Sequence, residues 1–349
     1  MPGVTTALEL FPELSRSSLQ EFRTSSWLSR FQRVTIKATV IPLDDEFRRY
    51  MNADGVTIPD GADDHPPETT LSDDEDGEQS DDDDDEPVER FAFPDLDKRI
   101  REVIAAYDGA VFPKLNWSAP KDARWISPSP PLRCLSPADV YLLLKSSDFV
   151  SHDLDPEQAY DGCTGDAGDT HPLELVLKKY YVMQESREVR CFVRRGTLIA
   201  ISQRDPNYYD FWNDEATQSK IRQSIIDFFR KNIQQCWQGP LDYTVDLLLT
   251  RDMDRAHIID FNPYAPRTDC LLFSYSELLN LAQTMENEQN ALPVLRAIDS
   301  RTHPSVVRSS PAYAHNMVPL DMIQASVGQD LESFSTGWSE EIQRSIADD

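Results

Sequence analysis

DYTVDLLLTRDMDRAHIIDFNP, residues 242–263, is the stretch on which the fold turns. It reads as two apolar strands, TVDLLL and AHIIDF, joined by a polar turn, RDMDR. Each strand carries an acid where a core strand is ordinarily apolar. A hairpin symmetric about Met253 sets Asp246 directly opposite Asp260. Because side chains alternate along a strand, Asn262 shares the face of Asp260. Two carboxylates that close repel each other unless a cation lies between them. Oxygen-only ligands suit a hard cation such as Mg²⁺, which binds one or two carboxylates together with substrate phosphates. The same pattern also describes an ordinary hairpin with one solvated face and incidental acids. The embedding of both acids among Leu and Ile, and the Asn-Pro ending, favour the metal site.

The chain has 349 residues, enough for one large domain or two smaller ones with real cores. Its net charge of −27 is unevenly spread: residues 60–86 hold fifteen Asp or Glu and no Lys or Arg. Removing those fifteen from −27 leaves −12, so the rest of the chain is only moderately acidic. Neither part has the clustered positive charge of a nucleic-acid binder. No apolar run approaches the length needed to cross a bilayer, and MPGVTTALELFPELSRSS lacks the form of a secretory signal. The cysteines, at 134, 163, 191, 236 and 270, form no CxxC pair, which argues against zinc and against a disulfide framework. A reducing, cytoplasmic setting is expected.

Residues 1–24 read as a flexible lead or a short helix. The fold begins at 25–43, where VTIKATVIPL alternates as a strand. A short helix is expected around Glu46–Met51. The acidic stretch 60–86, low in complexity and without aromatics, reads as a disordered insertion. FPDLDKRIREVIAAYDG has helical spacing, with Asp95 as cap and Gly109 as stop. AVFPKLNWSAP is a strand ending in polar residues, and SPADVYLLLKSS is a helix with Ser136 at its N-cap. Residues 151–172 read as an irregular acidic connection. LELVLKKYYVM is a strand, EVRCFVRRGTLIAISQRD a hairpin turning at Arg195-Gly196, and QSKIRQSIIDFFRKNIQQCW an amphipathic helix. SYSELLNLAQ is a further helix, and from about 304 a polar tail suits a partner contact, with Phe334 and Trp338 as anchors.

This order is a mixed α+β arrangement suited to closing over a nucleotide. Lys114, at the end of an apolar strand, either reaches a phosphate as a point charge or is a surface lysine. Asn116, Trp117 and Ser118 are candidates for the same cleft, although a Trp is more often core. Lys178, Lys179 and Tyr180 lie where a strand becomes a connector, a backbone suited to an adenine ring, or are simply solvated. Glu188 and Arg190 share one strand face. Arg204 is either a forked clamp on phosphate oxygens or the ion-pair partner of Asp205 or Glu188. No GxSxG and no Walker loop is present, and the six His show no metal spacing.

WLSRFQRVTIKATVIPL, PKLNWSAPKDARWI, LLLKSSDFV, LELVLKKYY, EVRCFV, LIAISQRD and HIIDFNPYAPRTDCLLF together resemble the cell division cycle protein 123 family of eukaryotes. The blocks run from about 25 to 280, interrupted by the acidic segment. The resemblance implies an ATP-grasp fold over 25–303, with ATP and Mg²⁺ between two α+β lobes. It places the metal on Asp246, Asp260 and Asn262 and ATP phosphates on Lys114. It further implies an assembly factor that binds the γ subunit of eukaryotic translation initiation factor 2 and promotes its joining to the α subunit, supporting translation initiation and cell-cycle progression. Such a factor is expected to be a monomer on its own, with no nucleic-acid or membrane partner. ATP-grasp proteins are also commonly ligases or kinases, so an active enzyme modifying a protein client is the alternative.

Overall fold

The alternating runs of the sequence become strands of two separate sheets. The computed structural model describes residues 8–63, 89–126, 130–165, 171–288 and 291–303. The described chain opens with α1 (Arg16–Gln20), α2 (Thr24–Phe31), β1 (Ala38–Pro42) and α3 (Asp45–Asn52). Then come α4 (Pro94–Ala106), β2 (Val111–Lys114), α5 (Pro137–Lys145), α6 (Asp148–Leu154), α7 (Pro156–Ala159) and β3 (Glu174–Lys179). The remaining elements are β4 (Glu188–Arg194), β5 (Thr197–Gln203), α8 (Glu215–Phe228), β6 (Tyr243–Leu249), β7 (Ala256–Pro263), α9 (Tyr275–Asn287) and β8 (Val294–Arg296).

The first sheet has the antiparallel order β1-β3-β2. Lys114 lies opposite Val176, and Phe112 opposite Lys178. Alternation therefore sets Phe112, Lys114, Val176 and Lys178 on one face. The other face carries Val111, Leu175 and Leu177 into a core with Phe47, Tyr50, Ile100, Tyr141 and Leu144 from α3, α4 and α5. The Tyr141 hydroxyl donates to Asp97 at 2.5 Å, which satisfies a buried acid inside that core. α5 starts on a reciprocal capping box of Ser136 and Asp139, with Pro137 in its first turn. α4 ends where Asp108 and Gly109 take φ of 59° and 85°, and the Gly109 N–H closes onto the Ile104 carbonyl at 2.9 Å. Asp95 is not its cap. Phe93 holds that position without a side-chain bond, and Asp95 sits in the first turn, where the helix dipole favours an acid.

The second sheet has the order β7-β6-β4-β5-β8, antiparallel except for the β5–β8 pair. The β4–β5 turn falls on Arg195-Gly196, with φ of 46° and 73°, the mirror-image turn that matches strand twist. Phe192 and Ala200 pack with Phe273, Leu278 and Ala282 at α9. The edge strand β7 is covered by the residues before β1. Ile258 N–H donates to the Val34 carbonyl at 2.7 Å and Thr35 Oγ1 to the Ile258 carbonyl at 2.8 Å. Trp27 and Phe31 of α2 each bring a ring to 5.2 Å from that of Phe261, centroid to centroid.

Both sheets belong to one unit, the described parts of 1–205 and 210–297. Pro206–Tyr209 and the described residues from 298 on form a second unit, in which Arg301 stands over the Tyr208 ring. Two expectations change. From residue 8 the expected flexible lead is structured, with Leu19 and Phe22 buried and the backbone of Glu9 and Leu10 held by Arg194. The connection expected over 151–172 contains most of α6 and all of α7, started by the side chains of Ser147 and Asp155. β8, with three residues, is too short for a readable period. The acidic stretch from 64 to 86 and the tail from 304 lie outside the described residues. Among those described, no helix is long and apolar enough to cross a membrane.

Candidate functional site

Asp246 and Asp260 are cross-strand partners, but the hairpin is not symmetric about Met253. Leu249 pairs with Ala256 and Leu247 with Ile258, one residue out of the symmetric register. An irregularity at Ile259 restores it, so that Asp246 faces Asp260. A bulged residue leaves its backbone outside the ladder. Here the Ile259 carbonyl accepts from Lys178 Nζ, at 2.6 Å, so a lysine of the first sheet grips the distortion that aims Asp260.

The acids belong to a polar row running across the second sheet, in which Ser202, Arg190, Asp246 and Asp260 follow one another in register. Arg190 clasps Asp246 with both limbs of its fork, Nε to Oδ1 at 2.7 Å and Nη2 to Oδ2 at 2.9 Å. Arg204 lies between two acids, 2.7 Å from Glu188 Oε2 and 3.3 Å from Asp246 Oδ2. From the first sheet, Lys114, 1% exposed, sets its Nζ 2.6 Å from Asp260 Oδ2. The alternative of a surface lysine is thereby excluded, as is solvation of Lys178. Burial pushes the Asp246 carboxyl up, but the guanidiniums of Arg190 and Arg204 outweigh it and hold it well below the usual range. Burial lowers Arg204, and Asp246 and Glu188 more than restore it. Burial pushes Lys178 down to about 8 against the pull of Asp260.

One member of this cluster carried no signal in the sequence. Lys121 opens a 3-10 turn, Lys121–Trp125, within electrostatic reach of Arg204, Glu188, Asp246 and Arg190. Burial, then repulsion from Arg204, pushes it down to about 8. Lys114, Lys121, Lys178, Arg190 and Arg204 thus stand against Glu188, Asp246 and Asp260, a surplus of two positive charges. Such a surplus in a partly desolvated site favours an anion.

The donors also fit a hard cation at one end. Asp260 Oδ1 is buried without a hydrogen-bond partner, because Lys114 takes only Oδ2. Asn262 lies two residues on, opposite Thr244. Among the described residues no three His, Cys, Asp or Glu side chains gather as a metal cluster, so the set is two acids and one amide. Beside it opens a pocket of about 350 Å³ lined by Trp117, Ser118, Asp153, Phe261, Asn262 and Pro263, among others. Its wall is built by Asp153, an acid with no sequence signal. Its carboxylate accepts from the N–H groups of Trp117 and Ser118, at 2.8 and 2.9 Å, and from Ser118 Oγ at 2.7 Å.

Three expected residues are not brought to the cluster. Asn116 is fully buried, and its amide is committed to the backbone at the start of β3, donating to the Pro172 carbonyl at 2.8 Å and accepting from Glu174 N–H at 2.7 Å. Lys179 pairs with Asp108 instead. The backbone donors expected for an adenine ring are engaged: Lys179 N–H goes to the Lys37 carbonyl at 2.8 Å and Tyr180 N–H to that of Ala110 at 3.1 Å.

Fold and site define an α+β protein whose two sheets meet at a buried, cation-rich cluster. The chain belongs to the D123 family, whose model matches residues 27–326. It is 37% identical over 332 residues to a Schizosaccharomyces pombe protein named translation initiation factor eIF2 assembly protein, covering 94% of this chain and 97% of that one. A Botryotinia fuckeliana protein of the same name is 34% identical over 362 residues, covering 94% and 88%. The structure of Cdc123 from S. pombe matches with a TM-score of 0.65 at 34% identity, covering 83% of this chain and 100% of that chain. The resemblance read from the sequence motifs is borne out.

Proposed function

We propose that this chain binds ATP and Mg²⁺ between its two sheets, in the manner of an ATP-grasp protein, and serves as an assembly factor for eukaryotic translation initiation factor 2. The observation that carries the nucleotide half is the surplus of two positive charges among Lys114, Lys121, Lys178, Arg190, Arg204, Glu188, Asp246 and Asp260. Cations paired with acids become phosphate ligands when a polyanion arrives, which releases carboxylate oxygens for a metal. Asp260 and Asn262, with Asp246, are the residues to hold Mg²⁺. The metal would supply charge neutralisation on the phosphates.

The assembly half is supported by the name that the S. pombe and B. fuckeliana relatives carry. On this reading the chain binds the γ subunit and promotes its joining to α. Nucleotide contributes by favouring the client-competent arrangement of the cleft, which requires that it bind that arrangement better. Calorimetry of ATP with and without Mg²⁺, on wild type and Asp260→Ala, tests the site, and chromatography of the nucleotide after incubation with the γ subunit tests the role. Mg²⁺-dependent binding lost in the variant, with ATP recovered intact, is expected. Unchanged affinity in Asp260→Ala sinks the site. Client-dependent conversion of ATP replaces the assembly reading with an active ligase or kinase.

A further inference from the structure

The pocket beside Asn262 has walls from two pieces of chain. Leu19, Trp117, Phe149 and Ala159 come from α1, the segment after β2, α6 and α7, while Asn262 and Arg267 come from the end of β7 and the loop after it. Arg267 bridges the two pieces. Its Nη1 donates to the Ala159 carbonyl at 2.7 Å and its Nη2 to that of Gln158 at 3.2 Å, both at the end of α7. Among the described residues no other hydrogen bond joins the loop 264–270 to α7.

The loop itself is fixed at its base. Thr268 Oγ1 donates to the Pro263 carbonyl at 2.7 Å, Thr268 N–H to that of Ala265 at 2.9 Å, and the Tyr275 hydroxyl to Ala265 at 2.7 Å. Arg190 Nη1 holds the Asp269 carbonyl at 2.8 Å while its Nε and Nη2 hold Asp246, so the loop is tied to the buried cluster. The Arg267 side chain is the part free to move. It is exposed, and among the described residues no acid pairs with it. The carbonyls it takes are orphan acceptors of a helix end, which water satisfies once the side chain swings away. Opening therefore strands no buried charge, and elements that open for ligands are drawn from such weakly held contacts. We propose that Arg267 is a latch on this pocket and sets how fast nucleotide enters and leaves the cleft. This rests on the nucleotide-binding reading and adds to it a residue that does not itself touch the ligand.

The test is stopped-flow measurement of nucleotide binding and release with Mg²⁺ and a fluorescent N-methylanthraniloyl ATP, displaced by unlabelled ATP, in wild type, Arg267→Gln and Arg267→Lys. Breaking the latch is expected to raise the association and dissociation rates together, by roughly three- to tenfold in Arg267→Gln, because hydrogen bonds from a charged donor to exposed carbonyls are lost. The two changes largely cancel in the dissociation constant. Arg267→Lys keeps the charge but loses the fork, so it should behave like Arg267→Gln. Slower association with unchanged dissociation, restored by lysine, makes Arg267 an electrostatic guide for the polyanion and overturns the proposal. Faster dissociation alone, with affinity lost to match, makes it a direct ligand contact and overturns it as well. Unchanged rates in both variants overturn it too, while the nucleotide-binding reading stands. Failure of wild type to bind Mg-ATP removes that reading and the proposal with it.

Discussion

Asp153 and Asp246 are equally buried, each 2% exposed, yet they sit in opposite electrostatic settings. Asp153 accepts hydrogen bonds from neutral donors, the N–H groups of Trp117 and Ser118 and the Ser118 hydroxyl, and the Lys114 charge acts on it more weakly than these. Burial dominates there and pushes its carboxyl up, with those hydrogen bonds offsetting part of the rise. Asp246 is met by two guanidiniums, which overcome the same burial and hold it down. One acid organises a loop and the other compensates cations. A site that compensates cations with acids and still has cations left over is prepared for an anion, whereas a site of neutral donors around one acid is complete as it stands.

The largest effect that separates the two is expected from Asp246→Ala. It strands Arg190 and Arg204 in a buried site, and breaking one side of such a pair costs about 3–5 kcal/mol. Urea unfolding of the ligand-free protein measures it, and nucleotide binding should vanish in the same variant. A loss below about 1 kcal/mol would match an exposed ion pair and erase the contrast. Asp153→Asn is expected to cost less, about 1 kcal/mol, because the amide oxygen can keep both N–H groups, which share Oδ2, while its NH2 meets a Ser118 hydroxyl that must turn from donor to acceptor.

Acid sharpens the same contrast. A carboxyl depressed in the folded state contributes stability above its unfolded value, near 3.9, and loses it as the pH falls. Asp246 is of this kind, so the deficit of Asp246→Asn relative to wild type should narrow below about pH 4. A carboxyl raised in the folded state stabilises most below the unfolded value and loses that contribution as the pH rises through its folded value. Asp153 is of this kind, so the deficit of Asp153→Asn should widen as the pH falls below the folded value. Parallel trends for the two variants would contradict the opposite electrostatic settings.

These two acids also mark what was legible beforehand. Asp246 and Asp260 stood out because each interrupts an apolar strand, and a strand's period makes an exception visible. Their pairing was reached through a symmetric hairpin, while the molecule achieves it with a bulge at Ile259, which alternation does not encode. Asp153 is the last residue but one of a seven-residue helix among other acids, where a buried carboxylate and a solvated one look alike. Lys121 lies in a turn where nothing distinguishes it from a surface lysine. Lys114 was legible as a strand-end lysine, but its fate depended on a contact with a residue 146 positions away. The main strands and helices were thus readable from period and caps, and charges were readable only where they broke a period.

Asn116 provides the most discriminating change. By type and position, two residues after Lys114, it looks like a ligand of the cleft. By geometry it belongs with Asp153, since its amide joins the Pro172 carbonyl to the Glu174 N–H and so fixes where β3 begins. Asn116→Ala removes two hydrogen bonds of ordinary strength, so a loss of about 1–2 kcal/mol in urea unfolding is expected, with Mg-ATP affinity unchanged at temperatures where the variant is folded. Because β3 also carries Lys178, a shift of that strand would weaken nucleotide and stability together. A variant that loses affinity while keeping its stability would instead put the Asn116 amide in contact with ligand and move it to the side of Asp246.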